Sequence, residues 1–418
     1  MRVCLLSHSD GRGGAYAAAY RLHQGLKKIN IDSTMLVGNK TNDDITVLGA
    51  NSKLAKGWQK IVPTLDSLPL QVYHKRDQLT FSLQWLPDQL AAQIAQMNPD
   101  IINLHWITGG YVQIETLAKF KKPIVWTLHD MWALTGGCHY SGGCDKYTKS
   151  CGACSQLGSQ REGDVSRWIW QRKAKAWQNI NLTIVTPSRW LADCARKSSL
   201  FQNLRIEVIP NGLNTQVYKP IDKTMARNLF NLPLDKKLVL FGAMNSTSDK
   251  RKGFHLLETA LQKLSQEKNQ ENIELFIFGA SQPSKVPNFG LRTHYLGRLN
   301  DDISLSLVYS AADVFVAPSV EDNLPNTVME ALACGTPCVA FNIGGMPDMI
   351  NHTQNGYLAQ PYNIDDLANG ITWVIENQER HQKLCANACE TIKQKFTLNL
   401  QTKSYLSLYK EISERSIS

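Results

Sequence analysis

APSVEDNLPNTVMEALACGTPCVAFNIGGMPDMI, residues 317–350, sets two carboxylates, Asp322 and Glu330, with seven residues between them. A Pro-Asn-Thr helix start lies between the acids, and Gly335 marks where that helix stops. Residues 337–341 read as a buried strand, followed by a glycine turn at Gly344 and Gly345. Carboxylates are strong acceptors for the hydroxyls of ribose and sugar. A helix N-terminus offers amide N–H groups and a dipole that favours a pyrophosphate. Together they suit a nucleoside diphosphate-sugar. Thr327 followed by Glu330 also fits a capping box, in which case these residues would only start a helix.

The segment resembles the donor-binding signature of retaining glycosyltransferase family 4, whose pattern is Glu-x7-Glu. Asp322 stands at the first acid, one methylene shorter, with Glu321 just before it, and either would reach the transferred sugar. Glu330 and the following EALACGTPCVA match the pattern. The resemblance implies an α/β GT-B fold: two facing Rossmann-like domains, a cleft between them, and C-terminal helices crossing back to the first domain. It is strongest over 208–360 and looser over 1–130.

Composition agrees with an enzyme of this kind. The 418 residues allow about two or three domains, each with its own core. Hydrophobic residues at 43% and charged residues at 19% describe a globular chain rather than a disordered one. The apolar run Val3–Leu6 is too short for a signal peptide and reads as a first strand. No run of about 18 apolar residues exists to span a membrane. A cytoplasmic location is therefore expected, with peripheral contact at the inner face of the membrane. The net charge of +9 favours anionic partners. Nucleic acid is set aside, because no recognition helix or zinc-finger repeat accompanies the charge.

Strand and helix patterns alternate, which implies parallel sheets. Strands are expected at 3–8, 33–37, 100–106, 123–130, 182–186, 237–243, 273–279 and 313–318. Helices are expected at 15–29, 86–97, 165–179, 254–264, 364–377, 379–395 and 398–414, with Pro87 in the first turn of the second. Residues 51–86 read as helical pieces and a loop, and 131–164 carry no clear period. Pro210, Gly212 and Pro220 mark a boundary. The expected domains are 1–212, with a Cys-rich insert at 131–164, then 213–395, and a returning helix at 396–418. Ligands of doubly wound sheets sit beyond the carboxyl ends of the strands. The candidate residues lie on such loops.

Lys250, Arg251, Lys252 and Gly253 connect a strand to a helix and could neutralise a leaving diphosphate, a solvated basic turn being the plain alternative. The family carries Lys-Gly here and an arginine several residues earlier, near Asn245 or Ser246, which this chain lacks. Arg251 would supply that charge. In SHSDGRGGAYAAAY, Gly13 and Gly14 would let the backbone approach a phosphate or acceptor. The missing G-x-G-x-x-G argues against a nicotinamide cofactor. His129 ends a strand in TLHD, as His8 and His105 end theirs. A lone strand-end histidine is commonly structural, but the resemblance implies that His129 bonds a hydroxyl of the transferred sugar. The loop at Gly297 resembles the one that receives the base. By the same resemblance Glu330 holds the ribose, and Asp322 or Glu321 the sugar. Lys252, Arg251 and the amides of Asn326, Thr327 and Val328 would hold the diphosphate. Such a cationic clamp replaces a metal ion, so no cofactor is expected for catalysis.

Cys138, Cys144, Cys151 and Cys154 follow a C-x5-C-x6-C-x2-C spacing. Four thiolates suit a structural zinc that would staple the long insert on the acceptor side, with disulfides or free thiols as alternatives and an iron–sulfur cluster less favoured. RWIWQRKAKAWQ, residues 167–178, would either lie on an anionic membrane or pack its tryptophans on the first sheet, and packing is the simpler reading. The function implied is retaining transfer of a sugar from a nucleotide-diphosphate donor to a hydroxyl of a glycan or lipid-linked acceptor, in bacterial polysaccharide or glycolipid assembly. A sucrose- or glycogen-synthase-like enzyme and a catalytically silent nucleotide-sugar binder are the alternatives.

Overall fold

Short runs of aliphatic and β-branched residues, buried on both faces, build two parallel sheets, as expected where helices cover each side. The computed structural model describes residues 1–418 except 12, 51, 243–248, 267–271, 280–286, 300 and 416–418. It divides into two compact units, Met1–Pro210 with Gln401–Ser418, and Asn211–Leu400.

The first unit holds β1 (Arg2–Ser9), β2 (Asp32–Asn39), β3 (Val47–Leu48), β4 (Ile101–Leu104), β5 (Ile124–Thr127), β6 (Leu182–Thr186) and β7 (Arg205–Val208). Their order is β3-β2-β1-β4-β5-β6-β7, so the winding reverses at β1 and β4. Side chains alternate along β1 between two cores. Cys4 and Leu6 pack with Leu104, Trp126, Trp132 and Phe201, whereas Val3 and Leu5 pack with Leu22, Leu26, Tyr405 and Tyr409. The two tyrosines come from helix Leu398–Arg415, which therefore closes the core of the first unit. Asn103 donates to the Tyr409 hydroxyl, and the Thr127 and Tyr405 hydroxyls lie 2.8 Å apart.

The second unit holds β8 (Lys237–Gly242), β9 (Ile273–Phe278), β10 (Thr293–Tyr295), β11 (Val314–Ala317), β12 (Cys338–Phe341) and β13 (Gly356–Ala359). Their order is β10-β9-β8-β11-β12-β13, with the reversal at β8 and β11. Leu238 and Leu240 face one core and Val239 and Phe241 the other. Helix Asn326–Ala333 ends at Cys334, and Gly335 follows at a φ of 77°, a left-handed stop suited to glycine.

Several local readings change. The helix expected over 86–97 covers only Leu90–Met97. The Asp88 carboxylate accepts the amides of Leu90 at 2.8 Å and Gln113 at 2.7 Å, which ties residues before the helix to a distant loop and leaves Pro87 outside the first turn. Residues 51–86 include helix Lys53–Ser67, capped by Ser52, and a 3-10 turn at Leu68–Val72. The insert contains three short 3-10 turns, Trp132–Leu134, Lys146–Thr148 and Ser155–Leu157. It is pinned by Lys173 of helix Val165–Trp177, which is fully buried and donates to the carbonyls of Trp132 and Thr135. Its Nζ lies 3.6 Å from the centre of the Trp132 ring. Of the three tryptophans in that helix, Trp177 is buried, Trp170 packs partly on the core, and Trp168 is 44% exposed beneath the Arg172 guanidinium. No described helix is long and apolar enough to cross a membrane.

Candidate active site

Chemistry-bearing side chains gather in each unit beyond the carboxyl ends of the strands. In the second unit, the loop after β11 delivers Asp322, which is 5% exposed. Its Oδ2 accepts Lys252 Nζ at 2.7 Å and the Ser319 hydroxyl at 3.3 Å, and lies 3.3 Å from Arg251 Nη1. The Asn323 amide bonds the other carboxylate oxygen at 3.1 Å. Burial alone would raise the Asp322 carboxyl, but Lys252 and Arg251 beside it outweigh that penalty and hold it below the ordinary range. Arg251 also donates to the Glu321 carbonyl at 3.0 Å and to Asp249 at 3.2 Å. Both cations sit on the short turn Lys250–Lys252 that follows β8. Two backbone approaches fix this geometry. A Cβ on Gly253 would fall 1.8 Å from the Pro318 carbonyl oxygen, and one on Gly344 would fall 2.0 Å from that of Asp322. Only glycine fits either place.

Glu330 lies on helix Asn326–Ala333 and is 5% exposed. It accepts the Tyr309 hydroxyl at 3.1 Å. The N-cap is Pro325, which has no side-chain acceptor, so the capping box of Thr327 and Glu330 does not form. Glu330 is thus not needed to start its helix. The Val328 amide donates to the Pro325 carbonyl at 3.1 Å and is engaged within the first turn. Asn326 receives Asn211 Nδ2 at 3.3 Å. Gly297 follows edge strand β10 at a φ of 68°, and its carbonyl accepts the Gly279 amide at 2.8 Å. The positions near Asn245 and Ser246, where the family's arginine was sought, lie outside the described residues.

In the first unit, the ends of β4 and β5 line a small cavity with His105, Trp106, Thr108, His129 and Asp130. His105 Nδ1 and His129 Nε2 lie 3.0 Å apart with the rings stacked. Burial lowers the His129 pKa to about 4 and holds that of His105 well below the ordinary histidine value, so both rings are neutral near pH 7. Among the described residues, His105 Nε2 and the Thr108 hydroxyl have no hydrogen-bond partner, although both are buried. Asp130 heads a relay. Its Oδ2 takes Trp106 Nε1 at 2.8 Å and His139 Nδ1 at 2.6 Å, and His139 Nε2 meets the Ser82 hydroxyl at 2.9 Å. Burial works against the charge on Asp130, but His139 and these donors keep its pKa low. His8 does not line the cavity. It packs on Trp106, with ring centres 5.7 Å apart. Gly13 is the N-cap of helix Gly14–Lys28 at a φ of 130°, and its carbonyl accepts the Ala17 amide at 2.9 Å. Asp130, His139 and Ser82 were not singled out from sequence. The HD pair at 129–130 was the available signal for Asp130. His139 and Ser82 join only through long-range folding.

The zinc expectation finds no support. Among the described residues, no group of three or more His, Cys, Asp or Glu side chains is arranged to hold a metal ion. Cys138, Cys144, Cys151 and Cys154 are free thiols, which also removes the disulfide alternative. Burial raises the Cys138 thiol strongly and that of Cys151 to about 11. Hydrogen bonds staple the insert instead. Thr135 donates to the Cys138 carbonyl at 2.6 Å, the Gly136 amide meets Cys151 Sγ at 3.1 Å, and Lys146 bonds the carbonyls of Gly152 and Ala153.

Comparison with known proteins fits this arrangement. The family described as Glycosyltransferase Family 4 matches residues 12–217, and Glycosyl transferases group 1 matches 224–391. The D-inositol 3-phosphate glycosyltransferase of Mycolicibacterium smegmatis is 25% identical over 296 residues, 67% of this chain and 60% of its own length. For another curated relative the match spans little more than half of that protein, 54%. Among solved structures, sucrose-phosphate synthase from Thermosynechococcus elongatus superposes with a TM-score of 0.71 at 19% identity, covering 98% of each chain. Anabaena HepE, solved in complex with UDP and glucose, gives 0.65 at 17% identity over 98% of this chain and 99% of its own. With both of its parallel-sheet units matched, the chain belongs to the group 1 glycosyltransferases of the GT-B type.

Proposed function

We propose that this protein is a retaining hexosyltransferase that moves a sugar from a nucleoside-diphosphate donor to a hydroxyl acceptor. The observation that carries the reading is the buried Asp322 carboxylate held between Lys252 and Arg251, with Glu330 on the helix that follows. An ammonium has three N–H donors, so pairing with Asp322 does not exhaust Lys252. A diphosphate would share them, and its growing charge on sugar departure would be met by donors already oriented. Glu330, not needed as a cap, would take ribose hydroxyls. Asp322, ionised near neutral pH, would take a sugar hydroxyl, with Glu321 as its neighbour at the same turn. The amides of Asn326 and Thr327 at the helix start, and the loop at Gly297, would serve the phosphates and base.

His129 is assigned to a hydroxyl of the transferred sugar. A neutral ring keeps one nitrogen as acceptor and one as donor, which suits hydroxyl recognition better than a cation would. The acceptor hydroxyl would attack from the face the diphosphate leaves, and the diphosphate would take its proton. Glycine-rich Gly13 and Gly14 and the Cys-rich insert are assigned to the acceptor side. The acceptor class proposed is a glycan or lipid-linked sugar in bacterial polysaccharide or glycolipid assembly, with the enzyme in the cytoplasm. The mycobacterial relative, named a D-inositol 3-phosphate glycosyltransferase, supports a hydroxyl acceptor.

The test is a thermal-shift screen with nucleotide-sugars, followed by donor consumption for wild type and Glu330→Ala. The expected result is stabilisation by one donor, turnover by wild type, and loss of both in the variant. A donor that binds wild type and is never consumed, with any acceptor, would make the protein a silent binder.

A further inference from the structure

Helix Lys53–Ser67 and the 3-10 turn Leu68–Val72 carry an apolar seam left open to solvent in the first unit. Leu54 is 87% exposed, Trp58 45% and Val72 70%, and Ile61 and Leu68 are exposed as well, with Leu65 half-buried among them. At 100° per residue, Leu54, Trp58, Ile61 and Leu65 fall within an arc of about 60° on the helix. A different face anchors the helix. Val62 and Asp66 are buried. The Asp66 carboxylate accepts the Leu83 amide at 3.0 Å and the Trp85 amide at 3.3 Å, and its carbonyl takes the Trp85 indole at 3.1 Å. The seam is therefore spare: the helix is held without it. Isolated exposed apolar residues are ordinary, but a contiguous row of them marks an interaction surface.

The charge beside the seam says what covers it. Lys53, Lys56 and Lys60 are exposed on the same helix, and Lys75 is exposed just beyond the turn. Between residues 46 and 76 the only acid is the buried Asp66. We propose that this face docks on an anionic phospholipid bilayer, with the seam entering the headgroup boundary and the lysines meeting lipid phosphates. Trp58 sits where an interfacial indole is favoured. A second copy of this chain on the same seam would set lysines against lysines with no exposed acid in the segment to pair them. The inference stands on helix Lys53–Ser67 and the turn that follows it, and does not depend on the transfer chemistry.

Vesicle flotation of the full chain tests it, using phosphatidylcholine vesicles with and without about one third phosphatidylglycerol. The wild type should float with the anionic vesicles, and salt should release it. Lys53→Gln/Lys56→Gln/Lys60→Gln should weaken that binding about a hundredfold, since each lysine near the surface contributes several-fold. Leu54→Ser/Trp58→Ser/Ile61→Ser should weaken it at least about tenfold through lost apolar insertion. Unchanged far-UV circular dichroism would show that both exposed-face variants fold. Three results would overturn the proposal: no flotation of the wild type at low salt, loss of binding in Trp168→Ser but in neither helix variant, or a concentration-dependent dimer that the apolar variant abolishes.

Discussion

Asp322 shows how much a single buried charge depends on its neighbours. Lys252→Met leaves the carboxylate with Arg251, the Ser319 hydroxyl and the Asn323 amide, and removes one donor from the proposed phosphate site. Donor turnover should fall about 10²–10³-fold in kcat/KM, the range for losing one pre-oriented electrostatic donor. His23 gives a second, independent prediction. It is fully buried between the Ser33 and Thr46 hydroxyls, each 2.8 Å away. Burial, with Lys27 adding to it, lowers its pKa from 6.5 to about 4. The unfolded chain therefore binds a proton that the folded one refuses, and stability is full above pH 6.5 and lost as pH falls toward 4. The expected loss is on the order of 3 kcal/mol. Urea unfolding of wild type and His23→Gln from pH 7 to 4 should show a shallower fall in the variant. At this scale, sequence pattern found the acids and the Lys252 turn because each lies on a strand-loop-helix signal. It did not find Tyr309 on Glu330 or His139 on Asp130, since neither pairing leaves a spacing that any local rule reads.

At the scale of elements, the strands that sequence pattern missed are β3, β7, β10 and β13, and these are the four edges of the two sheets. An edge strand need not be apolar throughout. All four residues of β7 are only partly buried, and β10 reads Thr-His-Tyr. The central strands declared themselves because both faces are covered. The helices Arg189–Lys197, Lys223–Leu229 and Asp302–Ala311 also went unread, although Ser188, Asp222 and Asp301 cap them. Helix Leu398–Arg415 was legible and its return to the first domain was implied by resemblance, but the residues it meets there were not. Tyr409→Phe removes the hydroxyl that Asn103 reaches and leaves a buried amide donor unsatisfied. The first unit should lose about 1–3 kcal/mol in chemical denaturation.

At the scale of the whole chain, two compact units predict unfolding that is not a single two-state event. Calorimetry with the correct nucleotide-sugar should shift the transition of Asn211–Leu400 most, since that unit supplies most of the proposed donor contacts. A donor at about 100 times its Kd adds about 2.7 kcal/mol to the state that binds it. A Glu330→Ala chain should show the same two transitions without that shift. The α/β class and the two-domain plan were readable because βα alternation repeats over hundreds of residues. The insert at 131–164 was not, because it is held by a buried lysine and carbonyl contacts rather than by any periodic pattern.

Helix Leu398–Arg415 also sets a schedule for biosynthesis. Val3 and Leu5, made about 400 residues before Tyr405 and Tyr409, find part of their cover only in those two side chains. A ribosome adding about 5–20 residues per second needs about 10–40 s to travel from Pro210 to the residues that complete that core. During that interval the core around Val3 and Leu5 lacks the cover of the two tyrosines, while the later-made unit, contiguous in the chain, can finish first.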